Sequence, residues 1–239
     1  MLIVALVLAS CAAPAGAQSE RERTIEMFAE MDKSVGALYA LSDGGDMSFL
    51  CSATAVGHEG DSVIILTAYH CVKKGKSYLI NFGDNRFHPL EVWMLPHYEV
   101  DRTDVRKYGE PKTDMALFLL HGVDVPIVPM AENFAAIRGA AVVMVGFPLG
   151  LSKIGYEGSV AGTFDRPGSD DAGYILLQIF GAPGSSGSAV VSLRTGEVIG
   201  VLVAGRSSRG SGLPVIFATP IDYRRYLIPV AGDDSEGDE

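Results

Sequence analysis

Three short segments of the chain carry side chains that could together perform acyl transfer. His70 lies in Thr-Ala-Tyr-His-Cys at the end of an apolar run, Asp114 opens another apolar run, and Ser186 lies in Gly-Ser-Ser-Gly-Ser. Each residue alone is a weak signal, because turns and strand ends commonly carry such side chains. Together they supply an alcohol nucleophile, an imidazole that takes its proton, and a carboxylate that fixes the imidazole tautomer.

The order of these residues along the chain narrows the class of enzyme. In α/β-hydrolases the order is Ser, acid, His, and in subtilisins it is Asp, His, Ser. Here the histidine comes first, the aspartate second and the serine last. Among these three arrangements, that order agrees only with the chymotrypsin type.

The segments around the motifs predict a body made of short strands. From residue 34 onward, about a dozen runs rich in β-branched and aromatic residues alternate with Gly, Asp, Asn and Pro. The runs divide evenly about a Pro-containing stretch at 121–133, which is typical of a connector. We therefore predict an all-β chain with one lobe at about 34–120 and a second at about 135–219.

Helices are predicted only at the two ends of this body. The stretch 19–33 has apolar residues at helical spacing and predicts an amphipathic helix that packs on the strands. Thr219 and Pro220 would supply the N-cap and first turn of a short C-terminal helix at about 220–228. The acidic tail at 231–239 is expected to be disordered.

The three motifs resemble those of trypsin-like (chymotrypsin-fold) serine peptidases. The segment Val-Gly-Phe-Pro-Leu-Gly at 145–150 and the Pro183 that precedes Gly184 look more like bacterial HtrA-type proteases than digestive trypsins. The resemblance covers roughly 34–227, within a peptidase domain expected at 19–230. It implies two six-stranded antiparallel β-barrels with the site in the cleft between them.

The resemblance also implies a role for each site residue. Ser186 would attack the scissile carbonyl, His70 would act as general base and then general acid, and Asp114 would orient the imidazole. The backbone N–H groups of Gly184 and Ser186 would form the oxyanion hole. Glycine suits the first position because the backbone must approach the substrate without a side chain in the way.

The residues that would select the substrate match the family less well than the catalytic motifs do. Phe180 would lie near the base of the specificity pocket, although it could equally be a core aromatic at a strand end. Ala204 and Gly205 would form the edge that pairs with the substrate backbone. No acid occupies the base, so we expect small or medium apolar residues before the cleaved bond. Ser185 replaces the aspartate that pairs with a new N-terminus in trypsins, so activation by that route is not expected.

The N-terminus predicts export. The apolar run at 2–9 is too short to span a bilayer and is typical of a signal peptide, so 1–18 is expected to be a leader, although no Lys or Arg precedes the run. Two processing routes stay open: Leu-Ala-Ser-Cys at 8–11 resembles a lipobox that would make Cys11 a lipidated membrane anchor, and Ala-Gly-Ala at 15–17 offers an ordinary cleavage site. A merely hydrophobic N-terminus is the third interpretation.

Two cysteines remain after such a leader. Cys51 and Cys71 would form a disulfide in an oxidising compartment, closing a loop of about twenty residues, and two reduced, buried cysteines are the alternative. The resemblance favours the bridge, since the family has a disulfide here that braces the histidine loop.

Composition and the remaining motifs exclude several other functions. With 29 acidic and 19 basic residues the formal net charge is −10, which argues against nucleic acid as a partner. The other histidines, His58, His88, His97 and His121, lack metal-ligand spacing, and neither a P-loop nor a dinucleotide fingerprint is present. No metal or cofactor is therefore expected.

Two functions stay open on the sequence. The first is an active endopeptidase with polypeptide substrates, and the second is a protease-fold binding or scaffold protein whose activity is latent or lost. Only a dozen residues follow Leu227. We therefore expect no C-terminal PDZ domain of the kind that HtrA-type proteins commonly add.

Overall fold

A computed structural model describes the chain over residues 19–72, 76–96, 113–132, 136–164, 173–206 and 215–230. The predicted leader with Cys11, the acidic tail and His97 lie outside the described residues. Within the described ranges, no helix is both long and apolar enough to cross a bilayer.

The N-terminal helix predicted over 19–33 is confirmed as α1, Glu20–Ser34. Its start is fixed by a capping box, in which the Ser19 hydroxyl accepts from the Glu22 backbone N–H while the Glu22 carboxylate accepts from the Ser19 N–H. These hydrogen bonds lower the pKa of Glu22. The helix buries Met27 and Met31 and packs against both barrels.

Six antiparallel strands form the first barrel. They are β1 Val35–Leu41, β2 Met47–Glu59, β3 Ser62–Thr67, β4 Ser77–Asn81, β5 His88–Pro96 and β6 Ala116–Leu120. The order is β5-β4-β1-β2-β3-β6, and a β5–β6 pairing closes the ring. Fully buried Leu38, Ile65 and Phe118 fill the interior, because alternate side chains of each strand point inward.

A second closed barrel follows. Its strands are β7 Ala141–Gly146, β8 Ile154–Phe164, β9 Tyr174–Gln178, β10 Ala189–Ser192, β11 Val198–Arg206 and β12 Val215–Pro220. They close in the order β10-β11-β12-β9-β8-β7. Met144, Ile175 and Ile199 are buried in its interior. The prediction of an all-β chain with two six-stranded antiparallel barrels is therefore confirmed.

The predicted C-terminal helix at 220–228 is wrong. A 3-10 turn, Ile221–Tyr226, is followed by strand β13, Leu227–Pro229, which pairs with β5 of the first barrel. The predicted cap does not form, since the buried Thr219 hydroxyl has no hydrogen-bond partner among the described residues. Pairing with a distant strand fixes Leu227–Pro229 in an extended conformation, so the helical segment ends at Tyr226.

A disulfide joins the first barrel's strand β2 to the 3-10 turn Tyr69–Cys71. The Cα atoms of Cys51 and Cys71 are 6.2 Å apart, and the bridge closes a segment with a sequence separation of 20.

Replacing both cysteines by alanine is expected to lower the free energy of unfolding by about 3 kcal/mol, because the unfolded chain loses a constraint. Denaturant unfolding measures the change, and reduced wild-type protein should match the variant. Equal stability of the oxidised protein and the variant would contradict this expectation.

Candidate active site

His70 and Asp114 meet at one edge of the first barrel. His70 lies in the 3-10 turn that follows β3, and Asp114 lies just before β6. Strands β3 and β6 are antiparallel, and Thr67 pairs with Ala116, so the end of one strand adjoins the start of the other. This pairing brings together two residues that are 44 positions apart in the sequence.

The Asp114 carboxylate holds both the ring and the backbone of His70. Its Oδ2 lies 2.8 Å from His70 Nδ1, and its Oδ1 accepts from the His70 backbone N–H at 2.8 Å. An ionised carboxylate only accepts hydrogen bonds, so Nδ1 carries the proton in the neutral imidazole. His70 Nε2 is then left as a hydrogen-bond acceptor. The imidazole is 45% exposed and can be reached by a substrate.

Two glycines shape the turn that contains Ser186. Gly184 has φ +94° and Gly187 has φ +85°, both in the left-handed region that favours glycine. A Cβ on Gly187 would lie 2.1 Å from the Ser52 carbonyl oxygen, and one on Gly184 would lie 2.5 Å from that of Phe147. No larger residue fits at either position without moving the backbone, so the turn is tightly packed on both sides.

The N–H groups of the turn fall into two sets. Those of Ser185, Gly187 and Ser188 donate to backbone carbonyl oxygens at 2.8–3.1 Å. In contrast, the N–H groups of Gly184 and Ser186 make no hydrogen bond within the part of the chain that the structure describes. Backbone N–H groups without a protein acceptor are the kind of donor that can bind an anionic oxygen.

Ser186 is linked to His70 through the first barrel. The Ser186 carbonyl oxygen accepts from the Ser52 N–H at 2.9 Å, and Ser52 is adjacent to Cys51. Cys51 is bonded to Cys71, which follows His70. Among the described contacts, no hydrogen bond joins the Ser186 hydroxyl to the imidazole. The structure thus brings His70 and Asp114 into direct contact. It connects Ser186 to the histidine turn through one backbone hydrogen bond and the disulfide.

A cavity of about 270 Å³ lies beside Ser186. It is lined by uncharged residues, which are Gly181, Ala182, Pro183, Ser186, Leu202, Ala204, Gly205 and Ile216. A Cβ on Gly181 or Gly205 would come within 3.0 or 3.1 Å of Ile216 Cδ1. The Ile216 side chain therefore limits the room in this cavity, and the two glycines leave it open.

Of the three residues predicted to bind substrate, Ala204 and Gly205, expected at the edge that pairs with the substrate backbone, line this cavity and Phe180 does not. The Phe180 side chain is 54% exposed and packs on the Tyr156 ring, with centroids 5.1 Å apart. The alternation of buried and exposed side chains along β9 continues past its end, so Ile179 is buried and Phe180 is exposed. Phe180 is thus not a core aromatic, and it lies outside the lining of this cavity. Burial raises the pKa of Tyr156.

Sequence reasoning missed Lys153, which joins the segment after Phe147 to two distant parts of the fold. Lys153, which follows the Pro148–Gly150 turn, donates to the carbonyl oxygens of Asp32 in α1 and Phe82 after β4. Its ammonium lies 5.7 Å from the centroid of the Phe147 ring. Burial lowers the pKa of Lys153, and the Asp32 carboxylate partly offsets that effect. No sequence motif marks this lysine, because its partners come from distant segments.

Among the described residues, one cluster of side chains has the types that bind metal ions, but two of its three members are not available as ligands. The only such group of three consists of Cys51, His70 and Cys71. Both sulfur atoms are joined in the disulfide, so neither is available as a thiolate ligand.

Comparison with known proteins gives a consistent family. A family model described as a trypsin-like peptidase domain matches residues 51–201, which is more than half of the 239-residue chain. A probable periplasmic serine endoprotease, DegP-like, from Marinomonas sp. (strain MWYL1) is 27% identical over 177 residues. The match covers 74% of this chain and 34% of that protein, so the chain spans about a third of this relative's length.

Solved structures share the fold. The HtrA-type protease AlgW with a decapeptide superposes with a TM-score of 0.63 at 18% identity, covering 83% of this chain and 64% of the other. The serine endoprotease from Yersinia pestis gives a TM-score of 0.60 at 17% identity, covering 87% and 65%. At these identities the comparison supports the architecture alone.

Proposed function

The chain belongs to the trypsin-like peptidase family, and from this membership we propose that it is a serine endopeptidase with Ser186 as nucleophile, His70 as general base and Asp114 as orienting acid. One observation supports this assignment above the others. The Asp114 carboxylate fixes the imidazole through the ring and the backbone, which leaves Nε2 as the base. Family membership alone would not identify which residues act.

In the proposed reaction, Ser186 Oγ attacks the scissile carbonyl carbon while its proton moves to His70 Nε2. The resulting imidazolium is stabilised by Asp114. The tetrahedral intermediate then collapses, the C–N bond breaks, and His70 delivers the proton to the leaving amine. Water next attacks the acyl ester and gives a proton to His70, which returns it to Ser186 as the ester bond breaks.

The oxyanion of both tetrahedral intermediates is proposed to bind the N–H groups of Gly184 and Ser186. This assignment is supported by the absence of protein acceptors for these two donors among the described hydrogen bonds. Such preorganised donors stabilise charge that develops only in the transition state.

The uncharged cavity beside Ser186 is proposed to receive the residue before the cleaved bond. Its apolar lining favours small or medium aliphatic side chains over Lys or Arg, since burying an unpaired charge is costly. Ile216 is proposed to set the size limit, because its Cδ1 is the atom nearest to the positions where side chains on Gly181 and Gly205 would begin.

Ile216→Val is therefore expected to enlarge the cavity, so that the preferred side chain before the cleaved bond becomes larger by about one carbon. The substitution removes only Cδ1, and one methylene in an apolar pocket changes the ratio of kcat/KM values by about tenfold or more. Peptides that differ only at this residue, with Ala, Val, Leu or Phe, measure the shift. Val215→Ala is the matched control, since Val215 is the preceding residue of β12 and is 44% exposed. An unchanged ranking in Ile216→Val would contradict the pocket assignment.

We propose that the protein is exported and acts on polypeptides outside the cytoplasm. Three observations support this: the predicted leader, a disulfide that an oxidising compartment would maintain, and a relative described as periplasmic. Lipidation of Cys11 stays a prediction from the sequence.

Digestion of unfolded casein by protein that lacks residues 1–18 tests the proposed activity. New fragments should appear with wild-type protein and be absent with Ser186→Ala. A well-folded wild-type protein that yields no fragments from casein or from a mixed peptide library would favour a binding or scaffold role.

A further inference from the structure

Ser52 is a buried junction between the two barrels. Its N–H donates to the Ser186 carbonyl oxygen at 2.9 Å, and its carbonyl oxygen accepts from the Thr67 hydroxyl at 2.8 Å. Its own hydroxyl donates to the Gly184 carbonyl oxygen at 2.9 Å and accepts from the Phe147 N–H at 2.9 Å. Ser52 is fully buried, so its own atoms in these four bonds are shielded from water. One residue of β2 thus contacts the turn before β10 and the segment after β7.

The oxyanion donor at Gly184 needs such restraints. Glycine at φ +94° has wide conformational freedom, so its N–H direction is not fixed by its own backbone preference. The Pro183 carbonyl, which shares a peptide plane with the Gly184 N–H, accepts from the Leu149 N–H at 2.6 Å. Because the peptide unit is planar, this bond directs the Gly184 N–H to the opposite side.

The Ser52 hydroxyl acts on both sides of this arrangement. Its donated bond fixes the peptide plane that follows Gly184. Its accepted bond holds Phe147, two residues before the Leu149 whose N–H fixes the preceding plane. Loss of this hydroxyl leaves the Gly184 carbonyl and the Phe147 N–H without a protein partner in a buried region.

We propose that Ser52 is a positioning residue, whose hydroxyl orients the Gly184 N–H towards the transition-state oxyanion. This inference rests on the proposed peptidase function. Ser52 acts through Gly184 and touches no substrate. Its loss should therefore reduce stabilisation of the transition state more than substrate binding, so the effect falls on kcat and not on KM.

Ser52→Ala tests this role in protein that lacks residues 1–18. We expect kcat for peptide hydrolysis to fall on the order of 10- to 100-fold, less than for removal of an oxyanion donor itself, with KM little changed. The rate of labelling by a fluorophosphonate, whose phosphonyl oxygen occupies the same site, should fall in parallel. Ser52→Thr keeps a hydroxyl and should recover part of the lost kcat.

Thr54→Val is the matched control. Thr54 lies on the same strand two residues later, is equally buried, and its hydroxyl accepts from the Ala189 N–H at 3.3 Å. The Thr54→Val variant loses a buried hydroxyl that contacts neither Gly184 nor Phe147, so it should keep the wild-type kcat. Thermal unfolding of each variant gives the folded fraction, and rates are compared per folded molecule.

The outcomes separate this inference from the proposed function. Wild-type kcat in Ser52→Ala, an equal loss in Thr54→Val, or no recovery in Ser52→Thr would overturn the role of the Ser52 hydroxyl while wild-type protein remains an active peptidase. Wild-type protein that neither hydrolyses peptides nor labels on Ser186 would count against the peptidase function itself.

Discussion

Ser186→Ala is expected to lower kcat for peptide hydrolysis on the order of 10⁶-fold, because no other group can form the acyl-enzyme. KM should change little, since all the other residues that line the cavity are unchanged. Hydrolysis of a chromogenic peptide with valine before the cleaved bond measures the loss. Nucleophile and base act as one unit, so Ser186→Ala with His70→Ala should be scarcely slower than either single variant.

Ser185→Ala is the matched control within the same Gly-Ser-Ser-Gly-Ser motif. The Ser185 side chain is buried and its hydroxyl takes part only in a long, 3.4 Å contact from the Ala182 N–H among the described hydrogen bonds. Most of the activity should therefore remain. If Ser185→Ala removes activity and Ser186→Ala does not, the nucleophile has been assigned to the wrong serine.

Asp114→Asn is expected to lower kcat by about 10⁴-fold while leaving the protein folded. The amide oxygen can still accept from the His70 backbone N–H, but the amide NH₂ would face Nδ1 as a donor. The imidazole proton would then reside on Nε2, and His70 could no longer take the proton of Ser186. The kcat of this variant, together with its thermal unfolding curve, measures the effect.

Glu91→Gln provides a control of the same chemistry away from the site. The Glu91 carboxylate lies 2.8 Å from His121 Nε2, and both side chains are more than half exposed. This variant also loses one carboxylate beside an imidazole and should keep the wild-type kcat. An Asp114→Asn enzyme within tenfold of the wild-type rate would contradict the assigned orienting role.

The two barrels could be predicted because their strands carry local signals. The runs of β-branched and aromatic residues on either side of 121–133 correspond to β1–β6 and β7–β12. The end of the chain could not be predicted in the same way. A short stretch of apolar and aromatic residues suits a helix face locally, but the pairing of Leu227 with Pro96 depends on a strand far away in the sequence.

In the site, too, residues in local motifs could be predicted, and residues placed by long-range contacts could not. His70, Asp114 and Ser186 each lie in a recognisable motif, so their types and order can be interpreted from the sequence alone. Ser52 has no motif, and its hydroxyl meets Gly184 across a separation of 132 residues. The position of Phe180 depends on which face of the extended chain points inward, and a shift of one residue reverses that.

Activation of Ser186 can be measured by treating the folded protein without residues 1–18 with a fluorophosphonate probe and mapping the adduct by peptide mass spectrometry. We predict a single adduct on Ser186 that is lost in Ser186→Ala and in His70→Ala. Absence of an adduct on a well-folded wild-type protein, or an adduct that persists in His70→Ala at the wild-type rate, would contradict a serine activated by His70.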